Sequence, residues 1–214
     1  MKFSSVNSDS HTELILKPFL LIALLSILIF SCSNDHSKKL YSYSELDELR
    51  KEFNLPKEKT YRLDTSFIHY LYSLDTEKFG TAIHNHYQPI QAIYYDKAGN
   101  MVSFHINCYA DRDSLNKYLN WNKGNLFSTF PPKSSTPIDS ILPFERHLQF
   151  IRTFDNKPID TTGFSEYDYT LVIHWITKLW GKDCLNLIKV VNDNLNLAKD
   201  KKVNVLYVND DDSF

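Results

Sequence analysis

The clearest periodicity in the chain lies near its end. "TLVIHW", Thr170 to Trp175, reads as an apolar strand of the kind that a sheet buries on both faces. After a short break, Cys184, Leu187, Ile188, Val191, Leu195 and Ala198 fall at i, i+3, i+4, i+7, i+11 and i+14, one stripe of a helix that Asp183 is placed to cap. "VNVLYVN", Val203 to Asn209, is a second apolar strand. Strand, helix and strand of these lengths predict a right-handed parallel βαβ crossover over about 170–208. Further forward the period changes to two. In "PIQAIYYDKAGNMVSFHINCY", Ile90, Ala92 and Tyr94 alternate with Gln91, Ile93 and Tyr95, and a turn follows at Asp96 to Asn100. Val102, Phe104, Ile106 and Cys108 then share one face of the return strand, so a β-hairpin is expected over about 90–108.

Helical patterns surround these strands. "YSELDELRKEFNLP" spaces Leu46, Leu49 and Phe53 on one face, with Ser44 as the expected cap and a stop before Pro56. Ser66 to Leu74 places Phe67, Ile68, Leu71 and Tyr72 near a 3.6 period. Asp113 to Trp121 and Phe144 to Phe154 are expected to be helical as well. The prolines of "FPPKSSTPIDSILP" predict an extended surface loop pinned by Trp121, Phe127 and Phe130. No internal repeat is visible, and the whole reads as α/β: a single domain with a mixed sheet.

Composition agrees with one core. At 214 residues, 43% of them apolar and 14% aromatic, the chain has material for one well-buried domain and too little for two. A formal net charge of -2 offers no basic field for a phosphate backbone, so nucleic acid is not an expected partner. Only 5 residues are Gly, and neither a G-x-x-x-x-G-K loop nor a G-x-G-x-x-G turn occurs, which removes support for nucleotide-dependent chemistry. No cofactor is expected.

The start of the chain has a separate character. "FLLIALLSILIF", Phe19 to Phe30, is uncharged and, at ~1.5 Å per residue, reaches about 18 Å against the roughly 30 Å of a bilayer core. That is a signal-peptide length. It closes with Ile29-Phe30-Ser31-Cys32, which resembles the lipobox of bacterial lipoproteins. The resemblance implies cleavage after Ser31, a diacylglyceryl group on the Cys32 thiol, a second acylation (palmitate or similar) at the new amino terminus, and a membrane as partner. Residues 1–31 are then a signal peptide, 32–40 a polar tether ("SNDHSKK" follows the cysteine) and 41–214 the folded domain, held in the cell envelope on its periplasmic or outer surface.

Tyr169 to Asp210 resembles the first strand, active-site helix and second strand of thioredoxin-like proteins, with Trp175 before the loop and "YVND" at the end. Pro89 ahead of the hairpin adds a second likeness. The two halves stand in inverted order, so the resemblance implies either a circular permutation or two separate likenesses. Family enzymes carry C-x-x-C at the helix start, where one thiolate attacks and the other resolves. Here the letters are "WGKDC": Cys184 stands where the resolving thiol would be, and Gly181 or Trp180 where the nucleophile would. A dithiol cycle is excluded. Cys184 is then a buried structural thiol, a lone reactive thiol favoured by the helix end but opposed by Asp183 and desolvation, or half of a Cys108–Cys184 disulfide, which export would permit.

Other constellations carry less. His84, His86, His105 and Cys108 invite a metal, but His105 and Cys108 are an odd number apart and face opposite ways on a strand. His84 and His86 could share a face but offer only two ligands; they read as exposed imidazoles before a strand, and no metal is expected. "NDDDSF" lacks the glycine turn and distal glutamate of a calcium loop and reads as a solvated tail. No G-x-S-x-G elbow supports a hydrolase. The aromatic runs "IHYLYSL" and "IYYD" suit a core, or a groove for a glycan or peptide. The functional expectation is an anchored envelope lipoprotein with a non-catalytic binding or structural role, the alternatives being a thiol-dependent redox protein using Cys184 or a glycan- or peptide-binding module.

Overall fold

The computed structural model describes residues 40–112, 118–178 and 181–214. The expected signal peptide, Cys32 and nearly all of the tether lie outside them. No helix among the described residues is long and apolar enough to cross a membrane.

In chain order the elements are α1 (Tyr43–Glu52), β1 (Thr60–Leu63), α2 (Ser66–Ser73), α3 (Thr76–His86), β2 (Gln91–Asp96), β3 (Met101–Ile106), β4 (Asp111–Arg112) and β5 (Leu119–Asn120). They continue with α4 (Phe144–Leu148), β6 (Ile151–Arg152), β7 (Tyr169–Trp175), α5 (Gly181–Leu195) and β8 (Val203–Asn209). Six strands form one mixed sheet in the order β3-β2-β7-β8-β1-β6, and β4 and β5 pair separately. β7 and β8 run parallel, joined through α5 as the periodicity predicts, and β8 is parallel to β1. The hairpin lies beside β7, antiparallel to it from Gln91↔His174 to Asp96↔Tyr169.

The sheet is covered on both sides, which explains why its central strands read as continuous apolar runs. On one face the α5 stripe of Cys184, Leu187, Ile188 and Val191 packs on Leu171, Ile173, Trp175, Val205 and Tyr207. On the other, Phe67 and Leu71 of α2, Ile83 of α3, and Leu142 and Phe150 around α4 pack on Ile93, Tyr95, Val172 and Leu206. The layers are helix, sheet and helix. In the hairpin turn Gly99 takes φ +83, a conformation open to glycine, and its amide returns to Asp96 O at 2.9 Å.

Several sequence expectations are corrected. The α1 cap is Ser42, whose Oγ accepts from Glu45 N while Glu45 Oε2 accepts from Ser42 N at 2.7 Å, a reciprocal capping box two residues before Ser44. α3 was not expected. Asp75 caps it, accepting from Glu77 N and Lys78 N, and the helix carries His84 and His86, of which His86 is wholly buried rather than exposed. Phe144 to Phe154 is not one helix, because Ile151 and Arg152 leave it to pair with β1. At Asp113 to Trp121, residues 113–117 are outside the described set and Leu119–Asn120 is strand.

Asp183 lies inside the first turn of α5, not at the position before it. Its carboxylate accepts from Leu119 N at 2.7 Å, and its carbonyl accepts from Trp121 Nε1 at 3.1 Å, so it pins the crossing segment to the helix. Cys108 sits beyond β3 in an exposed turn. The tail is the largest reversal: Asp210, Asp211 and Asp212 are all buried. Asp211 accepts from Thr177 N, Thr177 Oγ1 and Lys178 N at 2.9–3.3 Å. Asp212 pairs with the buried Arg62 and accepts from Tyr41 N at 2.8 Å. A carboxylate supplied with this many donors bears burial that a solvated one would not.

Candidate functional site

Both described thiols are free. Cys184 has no solvent exposure. Its Sγ–H donates to Ile176 O at 3.2 Å, and the sulfur accepts from Ile176 N at 3.4 Å. Burial pushes the thiol up to about 12. The Ile176 amide opposes that shift, and the carboxylates of Asp210, Asp211 and Asp183 add to it. At neutral pH this sulfur is a protonated core atom. Cys108 is engaged elsewhere, donating to Gln88 Oε1 at 3.0 Å. Gly181 begins α5, and Trp180 lies outside the described residues.

The histidines that pattern reading singled out do not converge. His105 lies in the sheet between two hydroxyls, Ser103 Oγ at 3.0 Å and Ser135 Oγ at 3.1 Å, and burial lowers it to about 3. His86 meets Asp139 at 3.1 Å and stacks on Phe104. Among the described residues no group of three or more His, Cys, Asp or Glu is arranged to hold a metal ion.

What the fold does assemble is a polar chain that the sequence reading missed. Asp210, at the end of β8, holds His174 Nδ1 of β7 at 2.9 Å. His174 Nε2 meets His147 Nε2 of α4 at 3.0 Å, with the two rings within 2° of parallel. His147 Nδ1 meets Tyr95 Oη of β2 at 3.0 Å, and Tyr95 Oη lies 3.1 Å from Leu142 O. None of the four side-chain residues is more than 1% exposed. Phe67 lies parallel to both imidazoles and seals them from α2.

Proton counting defines the state of this chain. Four hydrogens running one way satisfy every contact. One lies between Asp210 and His174, then His174 Nε2–H donates to His147, His147 Nδ1–H to Tyr95, and the Tyr95 hydroxyl to Leu142 O. The assembly is then neutral overall. With one proton fewer the direction reverses, Leu142 O loses its donor, and an uncompensated negative charge is buried. Burial correspondingly raises Asp210 to about 6 against the opposing pull of His174, and burial with His174 and His86 nearby holds His147 well below the usual imidazole range. An Asp–His pair is the orienting half of a general-base unit. Here the outer nitrogen of His174 is spent on a second histidine and the chain ends on a backbone carbonyl, so it has no substrate face.

α4 turns its other side to solvent. Phe144, Glu145, Leu148 and Gln149 line an open groove of about 710 Å³, a size suited to a small ligand, whose far wall includes Ile159, Phe164 and Tyr167. The rings of Phe144 and Phe164 lie 6.1 Å apart and 21° from parallel, and Phe144 is backed at 5.1 Å by Tyr95. One short helix thus separates a closed polar chain from an open aromatic floor.

Comparison with protein-family models, with curated proteins and with solved structures finds no match to this chain.

Proposed function

We propose that the protein is a bacterial envelope lipoprotein, cut after Ser31 and acylated at Cys32, whose α/β domain serves as a non-catalytic binding module. One contrast carries the binding half of this reading: Cys184 and the Asp210–His174–His147–Tyr95 chain are sealed in the core, whereas the open groove is lined by aromatic rings. The Ile29-Phe30-Ser31-Cys32 motif supports the anchoring half. The thioredoxin-like kinship belongs to the same reading. A permutation requires the hairpin and the strand-helix-strand unit to share one sheet, and β2 adjoins β7.

The test of the anchor is the intact mass of protein purified from membranes, with expected loss of residues 1–31 and gain of acyl chains that a Cys32→Ser variant lacks. The test of the non-catalytic role is disulfide-reductase turnover, expected at background. Turnover abolished by Cys184→Ala would overturn it in favour of a thiol enzyme.

A further inference from the structure

We propose that the α4 groove takes a neutral saccharide, bound with the apolar face of a pyranose ring against Phe144 and Phe164; this rests on reading the groove as the binding site. The floor supplies the first argument. Two half-buried phenyl rings close to parallel, one of them packed against buried Tyr95, give the groove an ordered aromatic lining, which suits the flat C–H face of a sugar.

The rim supplies the second. Thr161, Ser165, Tyr167 and Gln149 bring neutral hydroxyl and amide groups to the opening. The charged groups largely cancel. Asp96 is occupied by Asn100, whose backbone N and Nδ2 it accepts at 2.9 and 3.2 Å. Arg152 is paired with Asp64 at 3.2 Å and donates to the carbonyl of Gln149 at 2.7 Å. Lys97 and Glu145 remain, one of each sign. With no net field, the groove has no means of selecting an anion or a cation, whereas a polyhydroxylated neutral ligand finds both donors and acceptors.

The sheet edges decide against a peptide. An extended peptide gains its affinity by adding a strand to an open edge, and at each edge of the six-stranded sheet a neighbouring segment already takes part of the backbone. Ser134–Thr136 lies along β3, with Phe104 N donating to Ser134 Oγ at 2.9 Å and Phe104 O accepting from Ser135 N and Thr136 N. β6 is covered by the returning segment that bridges Arg152 to Pro158.

The experiment is NMR titration of the full domain with neutral cello-, malto- and chito-oligosaccharides, an acidic oligogalacturonate and an uncharged tetrapeptide. A fragment library is titrated in parallel. At least one neutral oligosaccharide is expected to shift groove resonances and to show saturation transfer strongest at its ring C–H protons. Phe164→Ala should weaken that binding at least tenfold. Thr161→Trp, an exposed change that fills the groove without touching the core, should abolish it while leaving the spectrum of the fold intact. Groove shifts with the peptide, the acidic sugar or fragments, but with no neutral saccharide, would overturn the ligand class and leave the binding reading standing. A groove that responds to nothing sinks both, and saccharide binding untouched by Thr161→Trp places the site elsewhere and overturns the proposal.

Discussion

β7 presents two faces with the same burial and opposite chemistry. Leu171, Ile173 and Trp175 point toward α5 and pack into an apolar cluster, while Thr170, Val172 and His174 face α2 and α4, where His174 enters a chain of four titratable side chains. The first face is held by area removed from water and tolerates loss gradually. The second is held by complete pairing, so every member depends on the next. The two faces should therefore fail differently under mutation and pH.

The largest effect is expected at the polar chain. Asp210→Ala leaves His174 Nδ1 buried without its partner and should cost about 3–5 kcal/mol, measured by urea unfolding. The double variant Asp210→Leu with His174→Leu should cost less than the sum of its single changes, because it removes both partners together. Additive losses would show that the two groups are not coupled. Against this, Leu187→Ala on the α5 face should cost roughly 3 kcal/mol, a lost transfer term plus a cavity. It should add to Asp210→Ala within error, since the two sites lie on opposite faces.

Acid sharpens the same contrast. His105 and His147 stay neutral when folded, so their contribution is complete above pH 6.5 and is lost as pH falls and the unfolded chain protonates. Asp210 works the other way. Raised to about 6, it contributes fully below its unfolded value near 3.8 and loses that contribution as pH rises through 6. Two histidines against one carboxyl leave unfolding with a net uptake of about one proton between pH 6 and 4. Stability should fall toward acid by ~1.4 kcal/mol per pH unit in that window. Denaturant midpoints against pH check this, and a His105→Phe variant that keeps its fold should flatten the slope.

The smallest effects belong to the thiols. Cys184→Ala should cost about 1 kcal/mol, from a lost Ile176 contact and a small void. Cys108→Ser should lie within about 0.5 kcal/mol of the parent, as exposed substitutions do. A thiol reagent should label Cys108 in the native protein and Cys184 only on unfolding. Rapid native labelling of Cys184 would contradict its burial.

The sheet-forming elements were legible because burial on one face repeats at the period of the element. The stripe from Cys184 to Val191, the two apolar strands and the Asp96–Asn100 turn each announce themselves within a few residues. α3 was hidden because His84-Asn85-His86 obscures a helix that Asp75 starts and the apolar Ile83 anchors. β6 was hidden because two residues carry no period. The groove could not be read at all, since Phe144 and Phe164 are twenty positions apart in the chain and meet only when α4 docks.

The polar chain left one local trace. His174 interrupts an otherwise apolar run at a position that the sheet must bury, and a buried imidazole requires a partner. Nothing local said that the partners would be His147 and Asp210. Periodicity and composition by themselves determined that this chain makes one α/β layer structure with a crossover and a hairpin, because an apolar stripe needs only something apolar to cover it. Which polar groups pair, which carboxylates are buried and where the surface stays open were decided by tertiary structure alone. A hydrogen bond needs a particular partner at about 3 Å, and residues distant in the chain come that close only when the sheet closes.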